Sequence, residues 1–102
     1  MTTTEQYRTA NGRVLGYRGV ERRDTLLKNT EEHVGSVSWH KASIMEIARM
    51  SGCSPATFYQ YWSTLEDAVA EILRQKMVSR KRIGKHWRRI REDLVEFGGW
   101  EF

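Results

Sequence analysis

A dense run of basic side chains near the carboxyl end is the part of this sequence with the clearest chemical use. Nine Lys and Arg residues lie between Arg74 and Arg91, a stretch of eighteen residues that contains no acid. Such a run binds phosphate groups through Coulomb attraction and the release of counterions. A solvated helix face has the same composition, so the run alone leaves both interpretations open.

Side chains that could carry catalysis or hold a metal are few and poorly spaced. Cys53 is the only cysteine, so it forms no disulfide within the chain, which fits a reducing compartment. His33, His40 and His86 lie seven or more residues apart and lack the spacing of a zinc site. No nucleophile–base pair and no phosphate-binding glycine loop is recognisable. We therefore expect no enzymatic activity, no metal and no cofactor.

Length and composition limit the architecture that can hold these side chains. The chain has 102 residues, of which 39% are hydrophobic and 29% charged, and its net charge is +4. This size suits one domain, and the positive balance is a hint of an anionic partner. No apolar run approaches the roughly 18 residues that a membrane span needs, and the first residues lack the apolar segment of a signal peptide. We expect a cytoplasmic protein without a membrane partner.

Hydrophobic periodicity predicts an all-α fold. Apolar residues recur at helical spacing over 22–34 and 44–50, and Gly52 is placed to end the second of these helices. Ser54 and Pro55 are suited to start the next helix, over 54–62, and Thr64 starts another near residue 65. Two short helices joined by a tight turn that contains glycine are typical of the helix-turn-helix motif.

These patterns divide the sequence into three segments. Residues 1–20 form a flexible basic arm, because three glycines fall within eight residues and no period is present. Residues 21–73 form a three-helix domain that contains the helix-turn-helix. Residues 74–102 form a basic helical tail, either one long helix or two short ones.

The segment 42–69, ASIMEIARMSGCSPATFYQYWSTLEDAV, resembles the DNA-binding domain of the TetR (tetracycline repressor) family. The positions that match the family's pattern are Ser43, Ile44, Ile47, Ala48, Gly52, Ser54, Thr57, Tyr59, Thr64 and Glu66. Cys53, Phe58 and Trp62 are close substitutes, and we expect Phe58 and Trp62 to lie in the core. The resemblance implies a TetR-like helix-turn-helix domain, here without the family's ligand-binding domain.

The resemblance also implies which side chains meet double-stranded DNA. The helix over 54–62 would enter the major groove. The implied base-facing residues are Pro55, Ala56, Thr57 and Gln60. The implied phosphate contacts are Ser43, Ser54, Tyr59 and Tyr61, although Tyr61 replaces the family's usual histidine and a core role is open to it.

Two departures from the family pattern weaken the expected attraction between DNA phosphates and the region of the implied recognition helix. Leu65 stands where the family has a phosphate-binding lysine, and residues 25–62 carry no net charge. Sequence-independent affinity must then come from two other places. One is the arm together with the arginines just after it: Arg8, Arg13, Arg18, Arg22 and Arg23. The other is the basic run of the tail, which includes Arg80, Lys81 and Arg82. The arm either reaches into a minor groove or is disordered. Because only about thirty residues follow the predicted fourth helix, we expect no small-molecule effector.

The tail carries an apolar seam as well as its charges. The seam residues are spaced by 4, 3, 4 and 3: Ile83, Trp87, Ile90, Leu94 and Phe97. They either pair with a second copy or fold back onto the domain's own core. Basic side chains precede acidic side chains along this helix. In an antiparallel pair, the basic end of one helix would meet the acidic end of the other, so we predict a homodimer through 83–97.

These observations predict a sequence-specific DNA-binding protein, a small bacterial transcriptional repressor of TetR type that is associated with the nucleoid. One alternative is a plasmid-partition, replication or phage accessory factor that coats repeated sites. The other is a protein-interaction module that uses the same fold.

Overall fold

Five α-helices and one short 3₁₀ turn follow one another along the chain. The computed structural model describes residues 9, 10, 12, 15–79 and 82–102. Its helices are α1 Tyr17–Ser36, α2 Ile44–Met50, α3 Pro55–Tyr59, α4 Leu65–Val78 and α5 Lys85–Gly98, and the 3₁₀ turn Trp39–Lys41 lies between α1 and α2. The described residues contain no strand, so the prediction of an all-α fold is confirmed.

Helix α1 begins earlier than its sequence indicates. Tyr17–Val20 is already helical, and Leu15 just before it is 6% exposed and belongs to the core. A Cβ at Gly19 would lie 3.2 Å from the Leu15 side chain, so the glycine leaves room for Leu15 to pack against the start of the helix. The proposed arm of 1–20 is therefore wrong for residues 15–20. Residues 1–8, 11, 13 and 14 lie outside the described part of the chain.

A turn of four residues, 51–54, joins α2 to α3. Gly52 in this turn has φ +72°, a left-handed conformation that glycine adopts without steric cost. The backbone N–H of Cys53 donates to the carbonyl of Ala48 at 3.0 Å, which closes the end of α2. Cys53 packs against the core as a small apolar side chain, as its position after the glycine suggests. Helix α3 ends at Tyr59, three residues before the predicted end, and continues as a tight turn.

Helix α4 starts at a reciprocal cap. The Thr64 hydroxyl accepts from the Asp67 N–H at 3.2 Å, and the Asp67 carboxylate accepts from the Thr64 N–H at 3.1 Å. Such capping boxes satisfy two backbone donors that the helix itself leaves unpaired. The helix runs unbroken to Val78, so the boundary drawn after residue 73 falls inside it.

The core lies where α1 meets α2 and α4, where α2 meets α3, and where α4 meets α5. Its completely buried side chains include one or more from each of the first four helices: Leu26, Val34, Ile47, Phe58, Val69 and Leu73. In the described part of the chain, no helix has both the length and the apolar composition that crossing a membrane requires.

Helix α5 completes this core. Trp87, Ile90 and Leu94 are 8%, 1% and 3% exposed, and Ile83 packs beside them. Of the two possibilities for the tail, folding back is the one observed. The prediction of a free dimer seam is therefore wrong for these three buried residues, because their own chain covers them. Phe97, the last seam residue, stays 79% exposed.

Candidate nucleic-acid interface

Helix α3 is held by one buried aromatic side chain. Phe58 is completely buried, and its ring centroid lies 5.2 Å from that of Trp62. With Phe58 facing inward, Ala56 and Gln60 are exposed, and Pro55 and Thr57 are partly exposed. All four residues expected to face bases are thus accessible on this helix and the turn that follows it.

The expected phosphate contacts divide into accessible and buried groups. Tyr59 is 50% exposed, and Ser54 is exposed, with its hydroxyl 3.4 Å from that of Thr57. Ser54 makes no side-chain cap to α3. Tyr61 is 7% exposed and packs edge-on against Trp62, with 5.8 Å between ring centroids. We therefore remove Tyr61 from the interface, since its ring forms part of the core.

Ser43 combines a structural role with partial exposure at the start of α2. Its hydroxyl accepts from the Glu46 N–H at 3.3 Å, and its own N–H donates to His33 Nε2 at 3.1 Å. His33 thereby fixes the beginning of α2 to the last turns of α1. The Ser43 hydroxyl proton is available to an anion.

Charges on α2 and α3 cancel. Glu46 and Arg49 are the charged residues between residues 43 and 62, and they pair with each other through two acceptor oxygens. The hydrogen bond from the Arg49 guanidinium lowers the pKa of the Glu46 carboxyl, and the same bond raises the pKa of Arg49. This pair leaves the two helices without a net charge that would attract phosphate.

Positive charge reaches the turn between α2 and α3 from α1. Arg18 and Arg22 line a surface groove together with one acid, Glu21. Ser51 of the turn belongs to the same groove. Asn29 donates to the Ser51 hydroxyl at 2.9 Å, which fixes the turn against α1. Further out, the Ala10 N–H donates to the Gln60 carbonyl at 2.9 Å, so the chain ahead of α1 passes the end of α3. Arg13 lies outside the described residues.

An ion pair behind α3 was not expected from the sequence, which grouped Arg23 with the arm. Arg23 is 8% exposed, and its guanidinium pairs with the Glu71 carboxylate through two nitrogens. The same guanidinium lies 4.9 Å from the Trp62 ring centroid, and Trp62 Nε1 donates to Glu71 at 3.3 Å. The cluster of Arg23, Glu71 and Trp62 joins α1 and α4 to the residue that anchors the end of α3.

The tail contributes accessible cations rather than a seam. Arg82 is exposed ahead of α5, and Arg80 and Lys81 lie outside the described residues. On α5 itself Lys85, Arg88 and Arg89 are exposed, and they belong to the basic run of residues 74–91 that the sequence offered as a candidate for binding phosphate. The signal was present in the sequence, because these three positions lie off the apolar stripe of that helix.

A groove on the side of the α4–α5 pair has a different character. It has a volume of 830 Å³ and is lined by aromatic side chains, among them Trp39 and Trp100, and by carboxylates, among them Asp67 and Asp93. Arg89 and His40 line the same groove, so its charge is mixed. No group of three or more His, Cys, Asp or Glu in the described part of the chain could hold a metal ion.

Comparisons with protein-family models, with curated proteins and with solved structures found no match to this chain.

Proposed function

We propose that this protein binds double-stranded DNA in a sequence-specific manner, with α2, the turn and α3 acting as a helix-turn-helix unit. The observation that carries the proposal is the two-sided character of α3. Phe58 anchors the helix in the core, while Ala56, Thr57 and Gln60 remain accessible. A short helix that projects small and amide side chains beyond a packed support is what major-groove reading requires.

Each accessible side chain has a defined task in this proposal. The Gln60 amide can donate to and accept from one adenine edge at the same time. Pro55 and Ala56 offer apolar contact to thymine methyl groups. Tyr59 and Ser43 donate hydroxyl hydrogens to phosphate oxygens, and Arg18 and Arg22 add charge beside the turn. Contacts to phosphate fix the position of the protein, and contacts to base edges supply the specificity.

A transcriptional repressor of TetR type in a bacterial cell is the role we propose for this activity. A single short reading helix covers few base pairs, so a homodimer on a palindromic site would give the specificity that a repressor needs. Such a dimer would use a surface other than Trp87, Ile90 and Leu94 of α5, because these side chains are already buried in the core.

The test is selection of bound sequences from a random 30-base-pair duplex library. We expect one preferred site, bound about a thousandfold or more tighter than unselected DNA. Gln60→Ala should relax the preference at one position by about 1–3 kcal/mol, because alanine cannot hydrogen-bond to the base edge. Gln75→Ala, at an exposed glutamine of α4, is the matched control and should leave the selected site unchanged.

Selection of no preferred site would overturn the proposal. So would a selected site that Gln60→Ala and Thr57→Ala leave unaltered at every position, since the reading helix would then be assigned wrongly.

A further inference from the structure

The first half of α5 and the residues just before it form a basic surface, which Glu92 and Asp93 border on the side of the second half of the helix. Its exposed cations are Arg82, Lys85, Arg88 and Arg89. Within the described part of the chain, none of them has a carboxylate oxygen within 4.0 Å, unlike Arg23, Arg49 and Lys76. We call these four residues the α5 basic surface.

This surface lies next to the start of α2. His86 Nε2 donates to the Val34 carbonyl at 2.7 Å, and Trp87 lies beside Gly35, so α5 begins against the last turn of α1. The neighbouring residue on α1, His33, holds the Ser43 N–H. Both α5 and α2 therefore begin at the same end of α1.

A second contact supports the same placement. His86, Arg89 and one acid, Asp93, line a groove together with residues 38–40, the segment that leads into α2. The Ser43 hydroxyl is one of the phosphate contacts of the proposed interface. The α5 basic surface thus lies at the same end of α1 as one phosphate contact of the proposed interface.

The charge order along α5 gives this surface a direction. Cations occupy the first half of the helix, and Glu92, Asp93 and Glu96 occupy the second half. Cations at a helix N-terminus oppose the helix dipole, so this order does not stabilise α5 itself. It does favour one orientation towards a polyanion, in which the first half of the helix approaches and the second half stays away.

We propose that the α5 basic surface binds the phosphate backbone of the duplex beside the base pairs read by α3. This inference rests on the proposed function and extends its contact region to flanking DNA. Charge complementarity supports it, because α2 and α3 carry no net charge and Leu65 offers none at the start of α4. The longest dimension of the fold is 35 Å, so the flank lies within about one turn, or ten base pairs, of the duplex.

The experiment measures affinity for the selected site in two duplexes, with flanks of about two and about ten base pairs on each side. Wild-type protein should bind the long-flank duplex about tenfold tighter. The double variant Arg88→Gln/Arg89→Gln should abolish that difference and bind the short-flank duplex as wild type does. On the long-flank duplex, its plot of log affinity against log salt concentration should be shallower by about 0.9 for each phosphate that the variant no longer neutralises.

Arg74→Gln is the matched control for Arg88→Gln, because it removes one exposed arginine whose guanidinium lies over the Trp100 and Phe102 rings. It should change neither the flank dependence nor the salt slope. If Arg88→Gln and Arg74→Gln lowered the flank dependence and the salt slope equally, the loss of one positive charge anywhere on the protein would explain the result. That outcome would overturn the inference. Unchanged flank dependence in the double variant would also overturn it, while an intact preferred site would leave the proposed function standing. Circular dichroism of each variant verifies the fold.

Discussion

Arg23 shows how one side chain connects three parts of the molecule. Its guanidinium pairs with Glu71 on α4 and lies over the ring of Trp62, directly after the turn that ends α3. The pair is shielded from water, with side chains that are 9% and 26% exposed. Because desolvated charges need their partners, loss of one member leaves the other in an unfavourable environment.

We predict that Arg23→Met lowers the free energy of unfolding by about 2–3 kcal/mol, measured by urea denaturation. The double variant Arg23→Met/Glu71→Met should recover most of that loss, since it removes both charges. Lys76→Met is the control. It breaks the more exposed pair with Glu31, at 27% and 47% exposure, and should cost about 1 kcal/mol or less. A double variant no more stable than the single one contradicts the argument.

Two glycines with different backbone conformations give a second prediction. Gly52 has φ +72°, and a Cβ there would meet nothing within 4 Å, so Gly52→Ala should cost about 1 kcal/mol from backbone strain alone. Gly35 lies inside α1, where a Cβ would sit 3.7 Å from Trp87. Gly35→Ala should therefore stabilise the protein by about 0.5 kcal/mol. Thermal melts of both variants check the opposite signs, and a stabilised Gly52→Ala would refute the strain argument.

The residue patterns predicted the burial of some side chains at the site correctly and missed that of others. Phe58 and Trp62 were expected in the core and are found there. Arg23 was grouped with the arm because it is charged. It lies, however, three residues before Leu26 on the buried stripe of α1. Burial of an arginine depends on a partner from another helix, and Glu71 lies 48 residues away in the sequence. Periodicity within one helix carries no information about such a partner.

At the scale of the helices, two local caps are found at α2 and α4, whereas α1 begins before its predicted start and Ser54 does not cap α3. Ser43 and Thr64 do cap α2 and α4, because a cap is a local bond between residues three apart. The end of α3 was placed three residues too late, since Tyr61 and Trp62 continue the apolar pattern of Phe58 in a turn rather than in a helix. Tertiary packing of Tyr61 and Trp62 against the core decides that difference.

The cap of α4 allows a matched test. Thr64→Ala removes the hydroxyl that accepts from Asp67, and it should lower stability by about 1 kcal/mol. For a domain of this size, that loss corresponds to a decrease in Tm of about 4–8 °C. Ser63→Ala changes a neighbouring exposed hydroxyl that does not cap the helix, and it should leave Tm nearly unchanged. Equal shifts for the two variants would assign the effect to something other than the cap.

At the scale of the whole molecule, α5 decides how the chain buries its apolar surface. The spacing of Trp87, Ile90 and Leu94 is the same whether the stripe meets a second copy or the same chain, so the sequence alone left both outcomes open. Helices α1 to α4 leave apolar surface that α5 covers, and intramolecular packing needs no second copy to supply it. A homodimer remains a prediction that requires a different surface.

This arrangement predicts that α5 unfolds together with the rest of the protein. Ile90 is 1% exposed in the shared core, so Ile90→Ala should lower the free energy of unfolding by about 2–5 kcal/mol. The loss should appear as one shifted transition in both helix circular dichroism and tryptophan fluorescence. Phe97→Ala, at a side chain that is 79% exposed, is the control and should cost about 0.5 kcal/mol or less. Separate transitions for the two probes in wild-type protein would mean that α5 unfolds independently of the other helices. If the decrease in the free energy of unfolding caused by Phe97→Ala depended on protein concentration, it would reveal an interface between copies at the end of this helix.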